Sequence, residues 1–380
     1  MRIAIVVPFL HKLAGNRLAI DIAEALQKAG NTVYLLSELA SEEVKNYISS
    51  TNLSNRFLFR YIYDGNISSF HYALRRFSRR RDRKLLTLIK SISKDGQFDV
   101  VLVFANEGHY IGRLLKKHQS SNHILSVLVV MELIEYPFIL NKTPKVKFLK
   151  AFFTPILPFL HLSELQNMSS FDVILSNSDW TSIMTETFYG ILPMMCVASV
   201  NTEKFNSQFE GPDKKYIALP TASLKGSDIQ MVKRLKEDGI EFISFGPYSI
   251  HGIKYMGYVD ELELRQIYAN AMATLFLFDY EALGLPVLES LASGTPVITI
   301  PKQGPYLTLS GNPFVYFENS YDSLLKKCKE ILSLGKTAEI VRSCKDSVSH
   351  FSSQLVAMKL LKLFSSQIQS ANSDPDLGSP

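Results

Sequence analysis

Two glutamates with seven residues between them frame a stretch that can hold an anion and a sugar together. The segment reads Phe278-Asp-Tyr-Glu281-Ala-Leu-Gly284-Leu285-Pro286-Val-Leu-Glu289-Ser-Leu-Ala-Ser-Gly294-Thr-Pro296-Val. A strand over 273–278 ends, a loop carries Glu281, and Gly284 permits a close backbone approach. Pro286 suits the first helical residue, where a missing N–H costs nothing, and Gly294 suits the stop. The N–H groups near Gly284–Val287 are expected to be unpaired and to point into a cleft, an anion site reinforced by the helix dipole. Glu281 before the helix and Glu289 about one turn into it would then grip sugar hydroxyls on either side of a diphosphate. An ordinary strand–helix unit with a solvated glutamate carries the same punctuation, and local physics leaves both readings open.

The elements that must position this stretch follow a repeating pattern. Residues 3–7 form a short β-branched run, followed by a loop containing Ala14-Gly15. A helical pattern from Leu18, a stop at Gly30-Asn31 and a strand from Thr32 complete a strand–helix–strand unit of a parallel sheet. The runs 98–104, 123–130 and 171–176 read as further buried strands, nearly all apolar. A second series begins near Lys215. Its strands fall at 215–219, 241–245, 254–259, 273–278 and 296–300, and its helices at about 227–238, 260–271 and 286–292. Two such series imply an α/β protein of two Rossmann-like domains facing across a cleft, joined near Val197–Phe205. Open sheets of this kind bind ligands at the carboxyl ends of their strands. The domains are drawn as 1–198 and 199–349, with the polar 371–380 as a disordered tail.

The 380 residues are 46% hydrophobic and 20% charged, which excludes a disordered or fibrous chain. Cys196, Cys328 and Cys344 give neither a disulfide framework nor a zinc knuckle, so a reducing compartment is the default. No uncharged apolar run is long enough to span a membrane, and the first residues read as a strand, not a signal peptide. The expected setting is cytoplasmic. The net charge of +5 is uneven: residues 1–190 hold 23 Lys/Arg against 16 Asp/Glu, the remainder 18 against 20. Arg75, Arg76, Arg79, Arg80, Arg81, Arg83 and Lys84 form one cluster. Lys142, Lys145, Lys147 and Lys150 form another, running into the apolar 151–160. Such clusters suit an anionic surface, membrane headgroups or nucleic acid. The first also fits a solvated helix face. The second resembles an interfacial anchor, although Pro155 and Pro158 fit a buried loop as well. No helix-turn-helix, zinc or stacking motif supports nucleic acid.

The run E-A-L-G-L-P-V-L-E-S-L-A-S-G-T-P-V-I at 281–298 resembles the E-x7-E signature of the retaining glycosyltransferases of family 4, which have the GT-B fold. Gly257-Tyr258-Val-Asp260, Ser178-Asp-Trp-Thr181 with Phe188-Tyr-Gly190, and His350-Phe-Ser-Ser resemble further segments of that family, strongly over 254–300 and loosely before 170. The resemblance implies an N-terminal acceptor domain, a C-terminal nucleotide-sugar donor domain, and a closing helix at 350–370 returning to the first. It implies transfer of a sugar from a nucleotide-diphosphate sugar to a glycan or lipid-linked acceptor in polysaccharide biosynthesis, with attack from the face of the departing diphosphate. No metal and no cofactor are implied. The catalytic pair would be Glu281, on the donor sugar, and Lys225, in Ser223-Leu-Lys-Gly226, on the diphosphate. Glu289 would meet the ribose, the backbone at Gly284 and Leu285 the diphosphate, and the backbone near Gly246 and Gly257–Val259 (with Tyr258) the base. Gly15 would let the diphosphate and sugar approach the N-terminal helix.

Three departures from the family pattern stand out. Pro220 occupies the place of an arginine expected five residues before Lys225. The stretch before Glu281 is Asp279-Tyr280, about two residues shorter than usual. A histidine common near the sugar is absent, with Glu132 closest in register, Glu135 beyond it, and His109 a separate candidate at a strand end. The missing arginine motivates an alternative, a catalytically impaired nucleotide-sugar-binding GT-B subunit. A GT-B epimerase is a third reading, against which the E-x7-E neighbourhood speaks. Peripheral contact of the N-terminal domain with an anionic membrane is a further expectation.

Overall fold

The computed structural model describes residues 1–10, 13–50, 58–64, 79–93, 96–105, 111–117, 123–131, 157–210 and 215–373. The chain forms two compact units, Met1–Ala198 with Gln354–Pro380, and Ser199–Ser353. Each is an α/β unit around one parallel sheet.

In the first unit the strands are β1 (Arg2–Val6), β2 (Phe9–Leu10), β3 (Thr32–Ala40), β4 (Leu58–Asp64), β5 (Val100–Ala105), β6 (Leu125–Val130) and β7 (Val173–Ser176). The sheet order is β2-β3-β1-β5-β6-β7, and β4 also pairs with β3. Every pairing is parallel. Strands such as β5 and β6 are buried along their whole length, which explains their unbroken apolar sequences: a parallel sheet is covered on both faces.

The helix after β2 begins at Leu13 and runs to Lys28. Ala14 and Gly15 therefore lie in its first turn, not in a loop. Leucine and alanine favour helix, and a glycine in the first turn interrupts no complete run of helical bonds. The lysines of 142–150 lie outside the described residues. Beyond them the helix Leu157–Met168 accommodates Pro158 in its first turn, where no N–H is needed. Phe159 and Leu162 on it are exposed.

The second unit has strands β8 (Ile217–Pro220), β9 (Phe242–Phe245), β10 (Lys254–Tyr255), β11 (Ala273–Phe276), β12 (Val297–Thr299) and β13 (Val315–Phe317). Their order is β10-β9-β8-β11-β12-β13, again all parallel. The sequence continues outward from β8 to β10, then crosses to β11 on the other side of β8. That reversal is the topological switch point, where loops on either side diverge and leave a crevice. β13 and the helices Gln303–Leu309, Tyr321–Leu334 and Ala338–Ser347 extend the unit beyond the elements read from sequence.

The helix Leu285–Ala292 is fixed on the sheet by apolar and polar contacts together. Val287, Leu288, Leu291 and Ala292 are buried. Ser290 Oγ lies 2.7 Å from Thr274 Oγ1 of β11 and donates to the Thr295 carbonyl at 3.0 Å. Thr295 Oγ1 in turn donates to the Tyr268 carbonyl at 2.6 Å. Near the end of the unit, Val200 pairs with Ser352, whose neighbour Ser353 opens the helix Ser353–Ser373. Past that first residue, the helix groups with the first unit.

Candidate functional site

The candidate residues of the second unit collect at the carboxyl edge of its sheet. Lys225 follows β8, the 277–284 loop follows β11, Gln303 follows β12, and Gly246 follows β9. The two loops flanking the switch point are those after β8 and β11, and they are joined: Lys225 Nζ forms an ion pair with Asp279 Oδ2. Lys225 is also the N-cap of the helix Gly226–Glu237, its N–H donating to Asp228 Oδ2 at 2.9 Å. The residue is therefore held at its backbone by Asp228 and at its tip by Asp279.

Strand β11 stops at Phe276, two residues earlier than the sequence suggests. Leu277 and Phe278 are buried beyond the strand's end, so four residues, 277–280, separate β11 from Glu281. That is two residues more than the Asp279-Tyr280 stretch read from sequence. Two apolar residues ran on in the strand's pattern without pairing in it.

Glu281 turns back onto its own helix. Oε1 accepts the N–H of Gly284 at 3.0 Å and of Leu283 at 3.2 Å. Burial pushes its carboxyl pKa up, and the donors at Gly284, Leu283 and Ala282 oppose that shift. Val287 N–H donates to the Gly284 carbonyl at 2.9 Å. The expectation of a row of unpaired N–H groups over Gly284–Val287 is thus corrected. Pro286 has none, and Leu285 N–H is the one without an acceptor among the described residues. The helix start is already met by a carboxyl group supplied by the chain itself. Gly284 is the N-cap in a left-handed conformation, φ +86°, and a Cβ there would come within 2.8 Å of Pro305 Cγ. Glu289 sits inside the helix and is only 6% exposed.

A brace not foreseen from sequence lies beneath this loop. Gln303 has φ +49°, the left-handed region that disfavours side chains. Its Oε1 accepts the Glu281 N–H at 2.8 Å, and its Nε2 donates to the Asp279 carbonyl at 3.4 Å. Next to it, Gly304 N–H donates to the Glu281 carbonyl at 3.2 Å. A Cβ on Gly304 would lie 1.8 Å from the Ala282 carbonyl oxygen, so only glycine allows this approach. The signal available in the sequence was the Gly304-Pro305 pair just after a strand, which marks a tight turn without revealing what it supports.

Across β8, the β9 end is tied in the same way. Gly246 N–H donates to the Gly257 carbonyl at 2.8 Å, and the Tyr255 hydroxyl donates to the Gly246 carbonyl at 2.6 Å. Thr221 Oγ1 donates to the Phe245 carbonyl at 3.0 Å and accepts the Tyr248 N–H at 3.2 Å. Gly257 is thereby placed beside Gly246, while Tyr258 is 80% exposed.

The structure thus brings Lys225, Glu281, Gly284, Leu285 and Glu289 into one loop–helix assembly, with Gly257 and Tyr258 at the same sheet edge. Gly15 lies in the first unit. His109, Glu132 and Glu135 fall outside the described residues. No group of three or more His, Cys, Asp or Glu is placed to hold a metal ion among the described residues.

The family match falls in the second unit. Residues 249–344 match the family described as glycosyl transferases group 1. A stretch of 46 residues is 41% identical to the O-antigen chain mannosyltransferase B of Escherichia coli, covering 12% of this chain and 12% of that protein. Among solved structures, the sucrose-phosphate synthase of Thermosynechococcus elongatus superposes with TM-score 0.74 at 12% identity, over 97% of this chain and 100% of that one. Anabaena HepE in complex with UDP superposes with TM-score 0.65 at 12% identity, over 96% and 100%. The fold is GT-B. HepE has also been solved with UDP-glucose.

Proposed function

We propose that this GT-B protein is a retaining glycosyltransferase, similar to family 4, that moves a sugar from a nucleotide-diphosphate sugar to a glycan or lipid-linked acceptor without a metal. One observation carries the reading: across the switch point, Lys225 after β8 pairs with Asp279, in the loop that leads from β11 to Glu281 and its helix start. A phosphate bound there would meet the Lys225 ammonium and the Leu285 N–H, beside a helix start that Glu281 already meets in part. The match of 249–344 to the glycosyl transferases group 1 family supports it, as does the local identity to a mannosyltransferase.

The chemistry asked of these residues is electrostatic. As the bond between sugar and diphosphate breaks, negative charge grows on the leaving oxygens, and fixed donors aimed there lower the barrier. Glu281 would orient donor-sugar hydroxyls, Glu289 would meet the ribose, and the Gly246–Gly257 edge with Tyr258 would meet the base. The acceptor would approach from the first unit, whose basic sequence clusters and exposed Phe159 and Leu162 suit a membrane-embedded or anionic acceptor on the cytoplasmic face. No described helix is long and apolar enough to cross a membrane.

The test is release of nucleoside diphosphate from a panel of nucleotide sugars, with the anomeric configuration of the product read by NMR. Turnover is expected to persist in EDTA and to fall more than tenfold in Glu281→Gln and Lys225→Met. Full turnover in both variants removes the site assignment; an inverted product or loss of turnover in EDTA removes the mechanism. A second reading, a nucleotide-sugar-binding subunit with impaired catalysis, is favoured by Pro220, which leaves Lys225 without a second cation from the end of β8. Binding of a nucleotide sugar without release of its diphosphate would select it.

A further inference from the structure

The ion pair between Lys225 and Asp279 sets the charge of the proposed phosphate subsite. Lys225 is 54% exposed and Asp279 47%, so the pair lies at the surface of the crevice. Pairs this exposed contribute little to stability, and a ligand can break them. Pro220 brings no charge to this edge, and the helix start is already answered by Glu281. The Asp279 backbone is tethered near Lys225: its carbonyl accepts from Gln303 Nε2 at 3.4 Å, and two residues on, the Glu281 N–H and carbonyl are held by Gln303 and Gly304. A phosphate that captures Lys225 therefore displaces the Asp279 carboxylate but remains near it.

We propose that Asp279 makes the subsite discriminate between donor and product by charge. This rests on the nucleotide-sugar reading above. A nucleotide sugar has both phosphates esterified and carries two negative charges. Once the sugar has left, the terminal phosphate has a second ionisation near pH 6, so the nucleoside diphosphate carries about three at neutral pH. The displaced but nearby Asp279 carboxylate repels the additional charge, and Lys225 is returned to its resident counter-ion as the product departs. Asp279 thus weakens product retention without weakening donor binding to the same degree. One unit charge a few ångströms from a carboxylate in a water-exposed crevice corresponds to about a fivefold change in affinity.

The experiment is calorimetric titration of the full chain with matched pairs: UDP and UDP-glucose, GDP and GDP-mannose, ADP and ADP-glucose, dTDP and dTDP-glucose. The quantity read is the ratio of the two dissociation constants within a pair. In Asp279→Asn the diphosphate is expected to tighten about fivefold relative to its sugar ester. Asp279→Glu should keep the wild-type ratio, and Asp279→Ser provides a second neutral variant should the amide misfold the loop. A purely structural role for Asp279 would shift both ligands of a pair alike. An unchanged ratio in both neutral variants, with binding intact, overturns the inference and leaves the nucleotide-sugar reading standing. If no pair binds the wild-type protein at millimolar concentration, the reading and the inference fall together.

Discussion

Gln303 and Glu281, 22 residues apart in sequence, are joined by a hydrogen bond in which the Glu281 N–H donates to Gln303 Oε1 at 2.8 Å. The bond is made from a strained backbone, since Gln303 stands at φ +49°. A glutamine stands where glycine would be conformationally easier, and its side chain makes the bond to Glu281. Gln303→Gly should relieve the strain and lose the bond, whereas Gln303→Ala should keep the strain and lose it too. Urea denaturation is expected to show Ala less stable than Gly by about 1 kcal/mol. Equal stability of the two would mean that the φ of Gln303 relaxes at no cost.

Glu281 caps the helix that it precedes. Removing its carboxylate in Glu281→Ala leaves the Leu283 and Gly284 N–H groups without their acceptor and should cost about 1 kcal/mol. Glu281→Gln retains an acceptor oxygen and should lose less than half of that. If both variants fall equally in chemical denaturation, the carboxylate does not cap the helix in solution.

Gly304 is closed to any side chain by the Ala282 carbonyl. Gly304→Ala is expected to displace the 279–284 loop and to destabilise the second unit by about 3 kcal/mol. Because Glu281 and Asp279 ride on that loop, nucleotide binding by calorimetry should weaken in the same variant. Wild-type stability in Gly304→Ala would show that Gly304 and the Ala282 carbonyl stand far enough apart in solution to admit a methyl group.

Lys336 is a buried amine with no carboxylate beside it among the described residues. Its Nζ donates to the Ala269 carbonyl and, at 2.8 Å, to Thr295 Oγ1. Burial lowers its pKa from 10.5 to about 7. Between those values the unfolded chain binds a proton that the folded chain does not, so stability rises with pH through that window and the gain is lost as pH falls to 7. The slope reaches at most about 1.4 kcal/mol per pH unit. Comparing wild type with Lys336→Met from pH 7 to 9 cancels the other titrating groups. The wild type should gain on the variant by about 1 kcal/mol or more over that range; parallel curves would show that Lys336 stays charged when folded.

The order of elements, the parallel sheets and the stretch from Glu281 to Glu289 were legible because they rest on local rules. Buried parallel strands leave unbroken apolar runs, and a helix start leaves its mark in Gly284 and Pro286. Element ends were less legible. Leu277 and Phe278 continue the apolar run of β11 yet lie beyond its pairing, because burial and strand hydrogen bonding end at different residues. Ala14-Gly15 has the look of a loop, and the helix nevertheless begins ahead of it.

The sequence by itself determined which groups are available for chemistry: the lysine, the two glutamates and the glycine at a helix start are present whatever surrounds them. Only the tertiary structure decided how those groups are occupied. Asp279 meets Lys225 because β8 and β11 are neighbours in the sheet though 54 residues separate the pair in sequence. Glu281 is braced by Gln303 because β12 lies beside β11. Contacts of that kind follow from the order in which strands pair, and a linear pattern of residue types does not encode which loops a crossover will bring together.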